Sequence, residues 1–186
     1  MDKLDRKKVF DDDPYKDYIK GEDGKYHYAG NVYLIDMPKE EVDSLCKKLW
    51  LLIIVAALLW FACGLLPFKG LMYSFYCVLP FCGGLLALLM IFRAMFTFSN
   101  SRYALTEKDF HRSIENFTVY GVLMMIIAVA GIVCAIIYVV NNGFDGDMLF
   151  FIIYLLECVV TILIMLKLKK IVDKLEFDIE DRSVKI

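Results

Sequence analysis

Glu157 is the residue whose type and position in this sequence could do chemistry. It is the one carboxyl group in the apolar segment Met148–Leu166, and it lies near the centre of that segment. At a rise of ~1.5 Å per residue, the segment can just cross a hydrocarbon core ~30 Å thick. Glu157 would then lie near the bilayer midplane, where an ionisable side chain costs ~2.5 kcal/mol or more. Such carboxyl groups often bind a proton, a cation or a cationic substrate, so Glu157 is the first candidate site residue.

Two polar neighbours and one proline could act with Glu157. Tyr154 precedes it by three residues and Thr161 follows it by four, which places both near its face of a helix. Counting residues from the segment ends brings Pro80 to the same depth, where a carbonyl left free by the proline could accept a proton from Glu157. The alternative interpretation is a neutral glutamic acid that only hydrogen-bonds a neighbouring helix, because burial favours the uncharged carboxyl.

The cysteines and histidines do not form a recognisable site. Five of the six cysteines lie inside apolar segments, and none belongs to a Cys-x-x-Cys pair. Buried cysteine behaves as a small hydrophobic residue, so we expect these side chains to serve in packing. His27 and His111 both lie outside the apolar segments. The sequence therefore predicts no metal site, no cofactor and no catalytic residues.

Four long apolar segments determine the predicted fold class. With 59% hydrophobic residues, the chain is far too apolar for an ordinary soluble domain. We predict an all-α integral membrane protein, an antiparallel four-transmembrane-helix bundle whose solvent is the lipid bilayer and whose helices extend into the cytosol. The predicted spans are residues 49–66, 71–92, 119–140 and 148–166.

Small residues recur within two of these spans. In the second, Gly83 and Ala87 lie four residues apart, and Pro80 predicts a bend beside them. In the third, Ala128, Gly131 and Ala135 lie along one stripe. Small side chains at this spacing let another helix approach closely. The pattern leaves open whether that helix belongs to the same chain or to another.

The polar connection 93–118 separates the second and third spans. Thr106 resembles a helix N-cap, and Phe110, Ile114 and Phe117 recur on one helical face. This segment could be an amphipathic helix lying on the bilayer or an extension of the third span. We favour the extension, because no helix breaker precedes the next apolar run.

Both termini carry strand-like patterns outside the predicted bundle of residues 38–176. In the leader, residues 1–37, we predict a small β-hairpin over residues 25–35, with Lys25–Tyr28 paired to Val32–Ile35 around a Gly-Asn turn. In the tail, residues 177–186, apolar residues alternate with polar ones from Leu175 onward. The tail could add a strand to the hairpin, since an isolated hairpin is only marginally stable.

The basic residues predict the orientation. Of the 21 lysines and arginines, only Lys69 lies in a short loop between spans; the leader, the middle connection and the tail, with the span ends beside them, hold all the others. By the positive-inside rule, both termini and the middle connection are cytosolic, and we expect the protein in the plasma (cell) membrane.

These sequence features leave two classes of function. The favoured one is a non-enzymatic accessory, regulatory or immunity-type subunit that acts through helix packing and its cytosolic face on a membrane-protein partner. The alternative is a small homo-oligomeric proton- or cation-linked transporter or channel that uses Glu157. Nothing in the composition indicates a nucleic-acid partner.

Overall fold

The computed structural model of the chain describes residues 18–20, 26–28, 30–143 and 148–181. Four long helices dominate it, each long and apolar enough to cross a membrane. In each helix, only 22–33% of the most apolar 18 residues are buried inside the protein, so most apolar side chains face outward. Water would not tolerate apolar surface on that scale, and the four helices therefore indicate a membrane protein. The long helices are α1 (Lys39–Leu65), α3 (Phe75–Ser101), α4 (Glu107–Asn142) and α5 (Met148–Val172), with a short α2 (Lys69–Tyr73).

The four long helices form a ring. Helix α1 packs against α3 and α5, and α4 packs against the same two helices. The chain segments before α1, between α3 and α4, and after α5 meet in one β-sheet at one end of the bundle. Consecutive long helices must therefore run in opposite directions. We call this end the sheet end, and the opposite end, where α1 leads into α2 and α4 finishes, the loop end.

The sheet at the sheet end has three antiparallel strands in the order β4–β3–β5. The central strand β3 (Asn31–Ile35) pairs with β4 (Ala104–Thr106) on one side and with β5 (Phe177–Asp181) on the other. The tail thus adds a strand to the N-terminal region, as its alternating pattern indicated. It spans the whole length of β3, from Asn31 opposite Asp181 to Ile35 opposite Phe177.

The predicted hairpin is wrong in its pairing. Strand β2 (Tyr26–Tyr28) pairs with β1 (Tyr18–Lys20) and not with β3. The reason is that β4 and β5 already occupy both hydrogen-bonding edges of β3, so β2 pairs with the strand before it. Lys25, which was also part of the predicted hairpin, lies outside the described residues, as do residues 1–17 and 182–186.

Helices α3 and α4 differ from their predicted spans at their ends. The second span was predicted to begin at Leu71, but Ser74 has an extended backbone, which separates α2 from α3. Helix α4 begins much earlier than its apolar run, because Thr106 Oγ1 accepts a hydrogen bond from the backbone N–H of Asp109 at 3.2 Å. It continues to Asn142 through one π-helical turn at His111–Glu115. Residues 107–118 of the connection are therefore an extension of the third apolar helix, as favoured, while residues 93–101 belong to α3 and residues 104–106 to β4.

Candidate functional site

The inner face of α5 carries the candidate residues. Tyr154, Cys158, Thr161 and Met165 are buried, and their spacing of four, three and four residues places them on one stripe. Glu157 lies beside the stripe and is half-buried. The α-helical repeat thus directs several polar groups of one apolar helix toward the centre of the ring.

Tyr154 reaches between α3 and α4. Its ring stacks on Phe68, with ring centroids 5.6 Å apart. A Cβ at Gly131 would lie only 2.7 Å from the Tyr154 hydroxyl oxygen and 3.8 Å from Pro80 Cβ. The missing side chain of Gly131 therefore makes room for the hydroxyl. Three of the residues singled out in the sequence, Tyr154, Gly131 and Pro80, meet at this point.

Glu157 faces a different helix from the one expected. Its carboxyl group contacts the thiol of Cys63 on α1, and its Oε2 is buried without a hydrogen-bond partner among the described residues. The predicted bond to a carbonyl freed by Pro80 is not formed by this oxygen. Residues three apart on a helix differ by about 60° in direction, so when Tyr154 points to Pro80, Glu157 points toward α1. The bend that Pro80 was expected to cause stays a prediction.

Thr161 differs from other threonines of the bundle. The hydroxyls of Thr97 and Thr118 donate to the carbonyl four residues earlier, at 3.1 and 3.2 Å. The Thr161 hydroxyl is fully buried and makes no such bond, and the Tyr154 hydroxyl also lacks a partner within the described chain. Each buried polar group without a partner costs ~1–3 kcal/mol, and such groups are rare in folded proteins. Two turns of α5 therefore hold an unusual number of them.

Buried thiols surround this polar stretch, which the sequence did not reveal. The thiols of Cys63 on α1 and Cys158 on α5 are neighbours, and Cys158 also lies near the Tyr154 hydroxyl, which makes no hydrogen bond to any described residue. All six cysteines are free thiols. Among the described residues, no three histidine, cysteine, aspartate or glutamate side chains are grouped so that they could hold a metal ion. No spacing rule links Cys63 to Cys158, because the ring of helices alone brings them together.

Aromatic side chains fill the interior around the candidate residues. Trp60 and Phe68 are each 1% exposed. The indole N–H of Trp60 donates to the backbone carbonyl of Phe81 at 3.0 Å. A Cβ at Gly84 would overlap the Trp60 indole, and one at Gly64 would overlap the Phe81 ring. Each helix of the α1–α3 pair thus places an aromatic ring on a glycine of the other.

The small residues noted in the sequence lie as follows. Ala87, Ala128, Gly131 and Ala135 are all buried inside the ring. A Cβ at Gly83 would lie 3.6 Å from Ile127, which is an ordinary contact. The tight approach in α3 occurs one residue later, at Gly84. Within the described chain, the helix that meets the stripe at Gly131 is therefore α5 of the same molecule.

A charged cluster joins α1 to the end of α3 at the sheet end. Arg102 Nε and the Tyr103 hydroxyl both donate to Asp43 Oδ1, each at 2.7 Å. The Tyr103 hydrogen bond, followed by the Arg102 hydrogen bond and charge, holds the pKa of Asp43 below its ordinary value. The same contacts, led by Tyr103, raise the pKa of Arg102. This cluster ties together two helix ends outside the apolar parts of the helices.

Comparison of the chain with protein-family models, with curated proteins and with solved structures finds no match in any of the three.

Proposed function

We propose that this chain is a non-enzymatic plasma-membrane protein that acts as an accessory, regulatory or immunity-type subunit. Its helices pack against a partner membrane protein, and its cytosolic face forms part of the contact. The observation that carries the proposal is the construction of the sheet end. Three separate polar segments are joined there into one sheet, while the opposite end has only short connections. A binding platform accounts for this asymmetry.

The sheet and the charges together support the proposed orientation. Because β3, β4 and β5 pair with one another, their segments must lie on one side of any membrane that the helices cross. Of the 21 basic residues, only Lys69 lies in a connection at the opposite end. By the positive-inside rule, this distribution supports a sheet end and termini in the cytosol. Reporter fusions at each terminus test this, and an external terminus would overturn it.

The filled interior favours binding over transport by a single chain. The centre of the ring is occupied by Trp60, Phe68 and Tyr154, all almost fully buried. A substrate pathway through one bundle would have to displace these rings. Contact through the outer helix surface and the sheet requires no such movement.

Native mass spectrometry of the tagged protein, extracted from its own membrane in mild detergent, tests the proposal. We expect one defined hetero-complex with fixed stoichiometry. Ile179 on β5 is 64% exposed, so Ile179→Asp should weaken the complex without disturbing the core. Leu79→Ala, at an equally exposed position on α3 near the loop end, is the matched control for a contact made by the sheet. A monomer or homo-oligomer as the sole species would overturn the proposal.

One observation favours the alternative, a homo-oligomeric proton- or cation-linked transporter or channel. Within a few turns of α5, the buried Oε2 of Glu157 and the hydroxyls of Tyr154 and Thr161 all lack a hydrogen-bond partner among the described residues. Its test is cation or proton flux in proteoliposomes at several pH values. The alternative expects flux that Glu157→Gln abolishes and Glu115→Gln preserves, since Glu115 is exposed and paired with His111.

A further inference from the structure

A notch between α3, α4 and α5 near the sheet end belongs neither to the Glu157 site nor to the sheet. It is a shallow groove of about 220 Å³, a volume that includes space open to the surroundings. It is lined mainly by apolar residues, with one hydroxyl and one cation: Ile91, Phe117, Thr118, Gly121, Met165, Leu168 and Lys169. We infer that this notch binds an anionic phospholipid, with an acyl chain in the apolar space and the headgroup phosphate on Lys169.

Gly121 makes the space for the acyl chain. A Cβ at this position would meet no atom within 4 Å, whereas a Cβ at Gly84 or Gly131 would overlap or crowd an aromatic side chain. The space that a side chain at Gly121 would occupy is therefore empty, because no neighbouring side chain fills it. A second shallow groove of about 210 Å³, open space included, is also lined by Phe117.

The depth of the notch suits a lipid headgroup. The predicted spans end at 92 and 166 and begin at 119, so the notch residues lie at the border between hydrocarbon and water. A lysine at this border can extend its ammonium group to the phosphate while its stem stays in the apolar region. The inference rests on the proposed membrane placement of the helices for this step.

The local charge selects an anionic lipid over a zwitterionic one. Lys169 lines the notch, and Lys170 and Lys174 follow it on the same end of α5. Basic pockets between membrane helices on the cytosolic side are a recurring binding site for anionic headgroups. The negative phosphate of a lipid headgroup is complementary to the Lys169 ammonium group. The notch also offers apolar contact, which a lipid uses and a free phosphate ion does not.

Native mass spectrometry after reconstitution with equal amounts of phosphatidylglycerol and phosphatidylcholine of identical acyl chains tests this inference. We expect the wild type to retain one phosphatidylglycerol per chain in preference to phosphatidylcholine. Lys169→Ala should reduce that retention about fivefold, the effect of one lysine on attraction to an anionic lipid surface. Lys167→Ala is the matched control, because it removes the same charge from an exposed position outside the notch and should retain the lipid.

A second pair of variants tests the apolar part of the site. Gly121→Leu should fill the notch and reduce retention without changing any charge, and Gly121→Ala should leave most of the space open. If Gly121→Leu does not fold, the comparison of Lys169→Ala with Lys167→Ala alone tests the lipid site. Equal retention of the two lipids, or equal loss in Lys167→Ala and Lys169→Ala, overturns the lipid site alone. A chain that retains neither lipid also overturns the lipid site, whereas a chain that carbonate extracts from membranes without detergent overturns the membrane placement as well.

Discussion

The indole ring of Trp60 occupies the space that a side chain on Gly84 would need. A Cβ at Gly84 would lie 2.6 Å from Trp60 Nε1 and would overlap two ring carbons. The same indole N–H donates to the carbonyl of Phe81 in the neighbouring turn. Lipid chains are as apolar as the side chains they meet, so close packing and interhelical hydrogen bonds are what hold membrane helices together. The α1–α3 contact uses both at one residue.

Gly84→Ala is expected to lower the stability of the bundle by ~1–3 kcal/mol, because an added methyl group in a filled interior forces side chains to shift. The measurement is thermal unfolding in detergent, followed by fluorescence of Trp60 in chains that carry Trp50→Phe. Gly121→Ala is the control, since its Cβ would meet nothing within 4 Å. If both variants unfold at the same temperature, the tight contact of Trp60 with Gly84 is contradicted.

Tyr154→Phe and Thr161→Val are expected to stabilise the bundle. Each substitution keeps the shape of the side chain and removes a buried hydroxyl that has no partner among the described residues, a group that costs ~1–3 kcal/mol. Thr118→Val should bring no such gain, because the Thr118 hydroxyl already donates to the Ile114 carbonyl. Loss of stability in the first two variants would instead show that their hydroxyls have partners such as bound water.

The contribution of Asp43 to stability is expected to depend on pH in one direction. Its folded-state pKa is depressed by Tyr103 and Arg102, so the charged form is the stabilised one. That contribution is fully present above the ordinary pKa of aspartate and is lost as the pH falls through the lower, folded-state value. Unfolding temperatures of wild type and Asp43→Asn should therefore converge at acidic pH. A difference that grows on acidification would contradict this assignment.

The pKa of Asp43 itself should respond to both Tyr103 and Arg102. We expect Tyr103→Phe and Arg102→Gln each to raise it, since the tyrosine hydrogen bond is the largest single cause of the depression and the Arg102 hydrogen bond and charge add to it. Carboxyl chemical shifts during an NMR pH titration measure both variants. An unchanged pKa of Asp43 in Tyr103→Phe would contradict the role of the tyrosine hydrogen bond.

Glu157→Gln is expected to leave the unfolding temperature nearly unchanged, because the amide has the same shape and still reaches the Cys63 thiol. Under the accessory-subunit proposal it should also preserve the native hetero-complex. Glu115→Gln, on the exposed part of α4, controls for loss of one carboxyl group. If Glu157→Gln but not Glu115→Gln lost the complex or the ion flux, the function would depend on the buried carboxyl group of Glu157.

Strand pairing shows where local sequence signals stopped being sufficient. The alternating residues near 25–35 and 177–181 indicated strands in both places, and strands are found there. Their partners were decided by helix ends far apart in sequence: Tyr33 lies opposite Leu105 on one side and Ile179 on the other. A turn signal such as Gly30-Asn31 favours a local hairpin, but strands β4 and β5 pair with both edges of β3 and leave no edge for β2.

The candidate site was likewise only partly visible. Tyr154, Glu157 and Thr161 could be grouped by their spacing on one helix, because the helical repeat is a local property. Which neighbour each faces depends on how α5 is rotated within the ring. That rotation places the Tyr154 hydroxyl in the space at Gly131. It also places Glu157 and Cys158 beside the thiol of Cys63.

By itself, the sequence determined four long apolar helices, the cap at Thr106 and the continuous helix that follows it, because hydrophobic length and capping are written in neighbouring residues. Only the tertiary structure decided the β4–β3–β5 sheet, the contact of Trp60 with Gly84, and the approach of the Tyr154 hydroxyl to Gly131. These features depend on the rotation and depth of whole helices, which are set by close packing between residues distant in the chain. In an apolar chain, many rotations present similar surfaces, so the pattern of hydrophobic residues alone does not select one.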